Sequence, residues 1–199
     1  MQLSEGSLTF TFNDTDWRVE RYDEWSFYRN QFQKSCGGNK AVDFLAYHLQ
    51  EQTLWLIEVK DYRHSRRTKE ISLWEETALK VRDTLAGICA VRSESSGAQY
   101  DERDYATQAL TGSVRFRVVL HLEQPRTNSK LFPRAYNPAN VQQKLKQMLK
   151  PVDAHPKVME RATMRAGLWS VAERGTKRVF GIISHISHFF TVIWVSRQA

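Results

Sequence analysis

Three side chains, Asp43, Glu58 and Lys60, combine types and spacing that could do chemistry. They lie in Lys40–Arg63, KAVDFLAYHLQEQTLWLIEVKDYR, where two apolar runs, Ala41–Tyr47 and Leu54–Val59, flank the polar Gln50-Glu51-Gln52. The pattern predicts two strands joined by a short connection. Leu54-Trp55-Leu56-Ile57 is apolar at every position, as in a strand buried on both faces. A carboxylate there costs several kcal/mol unless it is paired or bound to a metal. Side chains two apart on a strand share a face, so Glu58 and Lys60 point the same way, with Asp43 on the neighbouring strand. Asp43, Glu58 and the backbone carbonyl of Val59 would form an oxygen-rich site for Mg²⁺, with Mn²⁺ as a substitute. A metal-bound water could then attack phosphorus, with Lys60 orienting it or steadying developing charge. The competing reading is a structural ion network of the same three residues.

The elements that would hold these groups follow from periodicity. Leu8–Phe12 and Trp17–Tyr22 alternate across the turn cluster Asn13–Asp16, which predicts an antiparallel hairpin. Asp23 is placed to cap a helix starting at Glu24, with Trp25, Tyr28 and Phe32 as its apolar stripe, stopped at Cys36–Asn39. Ile71, Trp74, Ala78, Val81, Leu85 and Ile88 predict a long helix over Ile71–Ser93, with Glu75, Glu76, Arg82 and Asp83 away from the stripe. Lys80 sits at the stripe's edge, in line with Thr77 and Thr84. A loop at Ser93–Asp104, a short helix near Glu102–Leu110 and a strand over Ser113–Leu122 come next. Asn137-Pro138 opens a helix to about Leu149 with Val141, Leu145 and Met148 inward. Short strands are expected at Lys157–Ala162 and Gly167–Val171. Strand, helix, strand implies a right-handed parallel crossover, hence a mixed α/β sheet with helices on its faces. Residues 1–174 read as one domain and 175–199 as a C-terminal segment without an assigned role.

Asp43 followed after fourteen residues by Glu58-Val59-Lys60, behind an apolar strand and ahead of an amphipathic helix, resembles the PD-(D/E)XK nuclease superfamily. The resemblance covers roughly Asp23–Leu122. It implies a restriction-endonuclease-like αβββαβ core, here with an N-terminal β-hairpin, and Mg²⁺-dependent hydrolysis of nucleic-acid phosphodiesters, DNA foremost. Asp43 and Glu58 would ligate metal and Lys60 would position the water. Glu24 matches the glutamate that members add from the helix before the sheet, with Glu20 as fallback, and Lys80 the polar residue on the helix after the motif. Val42 stands where many members have proline. The alternative is a catalytically inactive module of the same fold, binding nucleic acid or serving protein assembly.

Composition bounds the rest. Lys and Arg number 29 against 22 acidic residues, a net charge of +7 that favours polyanionic partners. Arg63, Arg66, Arg67 and Lys69 follow the motif and are expected to contact phosphates, while Arg115, Arg117, Arg126, Lys130 and Arg134 fit phosphate contact or solvation equally. A homodimer or a larger protein complex also suits such a domain. Cys36 and Cys89, far apart and without a CxxC, suit free thiols in the cytoplasm. No secretory leader is evident, and Val179–Val195 is interrupted by Ser184, His185, Ser187 and His188, so no membrane association is expected. His185 and His188 lack companions for a metal set. The absence of GxxxxGK[ST], GxGxxG and GxSxG argues against nucleotide hydrolysis, dinucleotide binding and serine hydrolysis. No zinc finger, helix-turn-helix or RNA-recognition signature supports sequence-specific readout.

Overall fold

A computed structural model describes residues 1–125, 135–164 and 167–174. In chain order the strands are β1 (Gln2–Glu5), β2 (Leu8–Thr11), β3 (Trp17–Glu20), β4 (Phe44–His48), β5 (Thr53–Asp61), β6 (Arg115–Glu123), β7 (Lys157–Met159) and β8 (Ser170–Glu173). The α-helices are α1 (Leu73–Val91), α2 (Tyr100–Gly112) and α3 (Pro138–Leu149). The fold is mixed α/β with two sheets. One has the order β3-β4-β5-β6-β7 and the other β1-β2-β8. β3, β4 and β5 run antiparallel, and β6 and β7 then continue parallel to β5.

Strand alternation divides the interior into two layers. Leu54 and Leu56 on β5 join Leu45, Tyr47, Val118 and Leu120 beneath Val81 and Ile88 of α1 and Leu145 of α3. Trp55, Ile57 and Val59 face the other way, onto Leu8, Phe10, Phe12 and Trp17. The unbroken apolar run of β5 thus has a cover on each face. The expectation of helices on both faces needs correction, because the three-stranded sheet covers one of them.

The expected hairpin of Leu8–Phe12 and Trp17–Tyr22 does not form. β2 pairs with β1 and β8, while β3 pairs with β4. Both segments carry aromatic residues on one face, and stacking sheet on sheet buries both faces together. Phe12 and Trp17 meet ring to ring at 5.7 Å across that interface. The helix expected from Glu24 is also reduced, to a 3₁₀ turn at Tyr22–Glu24 and a helical turn over Tyr28–Phe32. Asp23 does not cap it. The N–H groups of Ser26 and Phe27 donate instead to Glu102 of α2, a cap supplied from far along the chain.

α1 begins at a capping box between Ser72 and Glu75. Its buried face is wider than its apolar stripe. Glu76 and Asp83, expected outside, are 1% and 4% exposed and are held by partners from loops. α2 is longer than expected, α3 starts at the Asn137 cap as read, and Met148 turns out to solvent. Among the described residues no helix is long and apolar enough to cross a membrane. Val179–Val195, with His185 and His188, lies outside the described residues.

Candidate functional site

Alternation on β5 delivers Glu58 and Lys60 to the helix side, because Leu54 and Leu56 are already there. Asp43 arrives from the residue before β4, where its N–H still bonds Ile57 across the hairpin. Its carboxylate accepts the N–H of Val59 at 2.7 Å. Val59 was expected to offer a carbonyl to a metal, and here its N–H fixes Asp43. Lys80 reaches in from the middle of α1, one turn beyond Glu76.

These four side chains converge. The Glu58 carboxylate is fully buried, with the Lys60 Nζ 2.6 Å from Oε1 and the Lys80 Nζ 2.7 Å from the same oxygen. Lys80 also donates to Glu58 Oε2 at 2.8 Å and lies 3.5 Å from Asp43 Oδ1. Burial, then the Asp43 charge, push the Glu58 pKa up to about 7 against the pull of both lysines. Burial works against the Lys80 and Lys60 charges, yet Glu58 and Asp43 hold both lysines above their ordinary value. Two carboxylates and two ammoniums therefore balance in a place where any one alone would be costly.

A cleft of about 640 Å³ opens beside this cluster, lined among others by Asp23, Arg29, Lys40, Asp43, Lys69 and Lys80. Glu24, expected at the site, is not there. It is exposed and sits 3.0 Å from Arg21 and 3.9 Å from Arg29, in a separate hollow with Trp25 and Asp101. The tight turn at Tyr22–Glu24 swings Asp23 toward Asp43 in its place. Burial and the Asp43 charge raise the pKa of Asp23, and they do the same to Glu5. The fallback Glu20 lies among Trp25, Arg18 and Asp101, away from the cluster. No spacing in the sequence separates Asp23 from Glu24, because their directions depend on one turn of backbone.

The basic run after β5 is only partly available to a ligand. Arg63 forks onto Asp61 at 2.9 and 2.7 Å, bonds Ser7 at 2.8 Å and pairs with Glu173. Arg67 is nearly buried, pairing with Glu76 at 2.5 Å and donating to Ile71 O at 2.6 Å. Both arginines tie loops to the body, and neither lines the cleft beside Asp43, next to which phosphate contact was expected. Lys69 also pairs with Glu76 but keeps 59% of its side chain exposed, and Arg66 is exposed. The carboxylate of Glu76, so held by Lys69 and Arg67 against burial, is lowered to about 2. Arg117 pairs with Asp153 at 3.0 Å, and Arg126, Lys130 and Arg134 lie outside the described residues.

Comparison with known proteins gives one informative likeness. A cysteine–tRNA ligase of Neisseria meningitidis serogroup A / serotype 4A (strain DSM 15465 / Z2491) is 33% identical over 170 residues, covering 70% of this chain and 23% of that protein. The chain therefore spans about a quarter of the length of this relative. No family model matches the chain, and no solved structure matches it. The relative, named as a ligase, overturns the expectation of a nuclease or hydrolase.

Proposed function

We propose that the chain is a tRNA-directed binding module of a protein related to cysteine–tRNA ligases, and that the cleft beside Asp43 receives RNA phosphate. The observation that carries this reading is the cleft itself, where Arg29, Lys40, Lys69 and Lys80 outnumber Asp23, Asp43 and Glu76 on one concave surface. A net charge of +7 supports a polyanionic ligand, and the name of the relative favours tRNA over the DNA first expected.

On this reading the five-stranded sheet is a restriction-endonuclease-like core put to binding. The antiparallel β3-β4-β5 followed by parallel β6 supports that order. β3 takes the place of the first strand, and the helical turns of Tyr22–Gly37 follow it instead of preceding it. Among the described residues no group of three or more His, Cys, Asp or Glu side chains is placed to hold a metal ion. The Lys80 ammonium, bridging Asp43 and Glu58, stands where a cation would sit. The two carboxylates would take Mg²⁺ only with the Lys80 ammonium displaced from between them. Asp43 and Glu58 would hold the ion, which would neutralise charge between them and a phosphate. Arg29 and Lys69 would contact neighbouring phosphates, and Lys40 would line the approach.

Fluorescence anisotropy with labelled tRNA and with duplex DNA, over a salt series, tests the reading. Tighter binding of tRNA is expected, with a salt slope that falls by about 1 for each contact removed in Arg29→Ala and Lys69→Ala. These two substitutions leave the Glu58 cluster intact and leave Arg67 on Glu76. Equal binding of both nucleic acids, or no change on removing both side chains, would refute the tRNA-directed cleft.

A further inference from the structure

Away from the cleft, a cavity of about 850 Å³ lies where β5, β6 and β7 end, lined among others by Arg63, His64, Glu123, Arg161 and Glu173. The C-terminal ends of parallel strands are where open α/β sheets present ligands, and the volume suits a small molecule. Two guanidinium groups converge there on one carboxylate. Arg63 Nη1 and Arg161 Nη1 both pair with Glu173, the latter at 3.0 Å. The arginines are built in. Asp61 and Ser7 fix the remaining donors of Arg63, leaving Nη1 toward Glu173. The backbone N–H of Arg161 donates to Glu123 Oε1 at 2.6 Å, and the buried His121 Nε2 lies 3.1 Å from the same oxygen.

The carboxylate between them is not anchored in the same way. Glu173 keeps 45% of its side chain exposed and ends β8, whose four residues show little burial and, among the described residues, pair only with β2. Arg161 first, then Arg63, depress its pKa, as expected for an anion seated in a cationic fork. Glu123, the other carboxylate of the cavity, is already engaged by the Arg161 N–H and His121.

We infer that Arg63 and Arg161 form a second anion site that takes a phosphate monoester, with Glu173 seated in it as a displaceable internal occupant. A tetrahedral dianion offers separate oxygens to Arg63 Nη1 and to Arg161, which now share one oxygen of Glu173. Binding would release Glu173 and loosen β8 from β2. This site shares no residue with the cleft proposed for RNA, so either can fail alone.

Isothermal titration of the full chain with inorganic phosphate, AMP and a short 5′-phosphorylated RNA tests the inference. Removing the internal competitor in Glu173→Ala should tighten binding by about tenfold or more, equivalent to 1.4 kcal/mol. Arg161→Ala should abolish binding of phosphate and AMP, and Arg161→Lys, which keeps the charge and loses the fork, should retain only part of it. Amide exchange at Val171 and Ala172 should quicken in the wild type when phosphate is added. Binding of all three ligands marks a free phosphate group as sufficient, and binding of the RNA alone that is lost both without its 5′-phosphate and in Arg161→Ala places the group at an RNA end. For phosphate and AMP, or for the part of RNA binding that needs the 5′-phosphate, equal binding by wild type and Glu173→Ala, undiminished binding by Arg161→Ala, or no binding in any variant would overturn it.

Discussion

Lys80 is the residue on which the charged cluster turns, since its ammonium touches both carboxylates. Lys80→Ala leaves Asp43 and Glu58 facing each other, and a loss of about 3 kcal/mol is expected in urea denaturation. Adding Glu58→Gln to it should recover part of that loss. The two glutamates nearest Lys80 titrate in opposite senses. The folded pKa of Glu58, about 7, exceeds the ordinary 4.5, so the folded state holds the extra proton and stability falls as pH rises across that window. A Glu58 carboxyl ¹³C resonance titrating near pH 7 is the expected signature, and a midpoint near 4.5 would contradict it. Glu76 behaves conversely. Its value near 2 means that its contribution is present above 4.5 and lost as pH falls through 2. Glu76→Gln should therefore cost about 2–3 kcal/mol at neutral pH, with the gap to wild type narrowing in acid.

At the scale of elements, the short helical turns of 22–37 depend on neighbours. Glu102→Ala removes the cap on Ser26 and Phe27 and should cost about 1–2 kcal/mol, with faster amide exchange confined first to those two positions. α1 has a close approach at Gly87, where an added Cβ would lie 1.8 Å from the Tyr22 hydroxyl. Alanine would gain about 1 kcal/mol in helix propensity, but the overlap should outweigh it by about 2 kcal/mol. The Tyr22 hydroxyl is buried without a hydrogen-bond partner among the described residues, so Tyr22→Phe alone should be nearly neutral. It should also rescue Gly87→Ala, as thermal denaturation of the four-member cycle would show.

At the scale of the molecule, the two sheets are joined by an aromatic centre. Trp55 meets Trp17 at 6.2 Å and Trp169 at 5.6 Å between ring centres. Trp55→Ala should cost about 4 kcal/mol and loosen the small sheet from the large one, read by tryptophan fluorescence and amide exchange in β2. The layer it would open is the one the sequence describes least well. Leu8–Phe12 and Trp17–Tyr22 alternate in a manner that fits a hairpin as readily as two strands in facing sheets.

The sequence by itself determined the β4–β5 hairpin, the common face of Glu58 and Lys60, the α3 cap, and Lys80 on the edge of its helix. All of these follow from local periodicity and near neighbours, where geometry is set within a few residues. Only the tertiary structure decided which sheet each N-terminal strand joined, that Asp23 and not Glu24 turned toward Asp43, and that Arg63 and Arg67 answered carboxylates of this chain. Each of those outcomes rests on a partner distant in sequence, such as Glu102 for Ser26 or Glu173 for Arg63. A charge in a loop carries no local mark of whether its counter-ion will come from the fold or from a ligand.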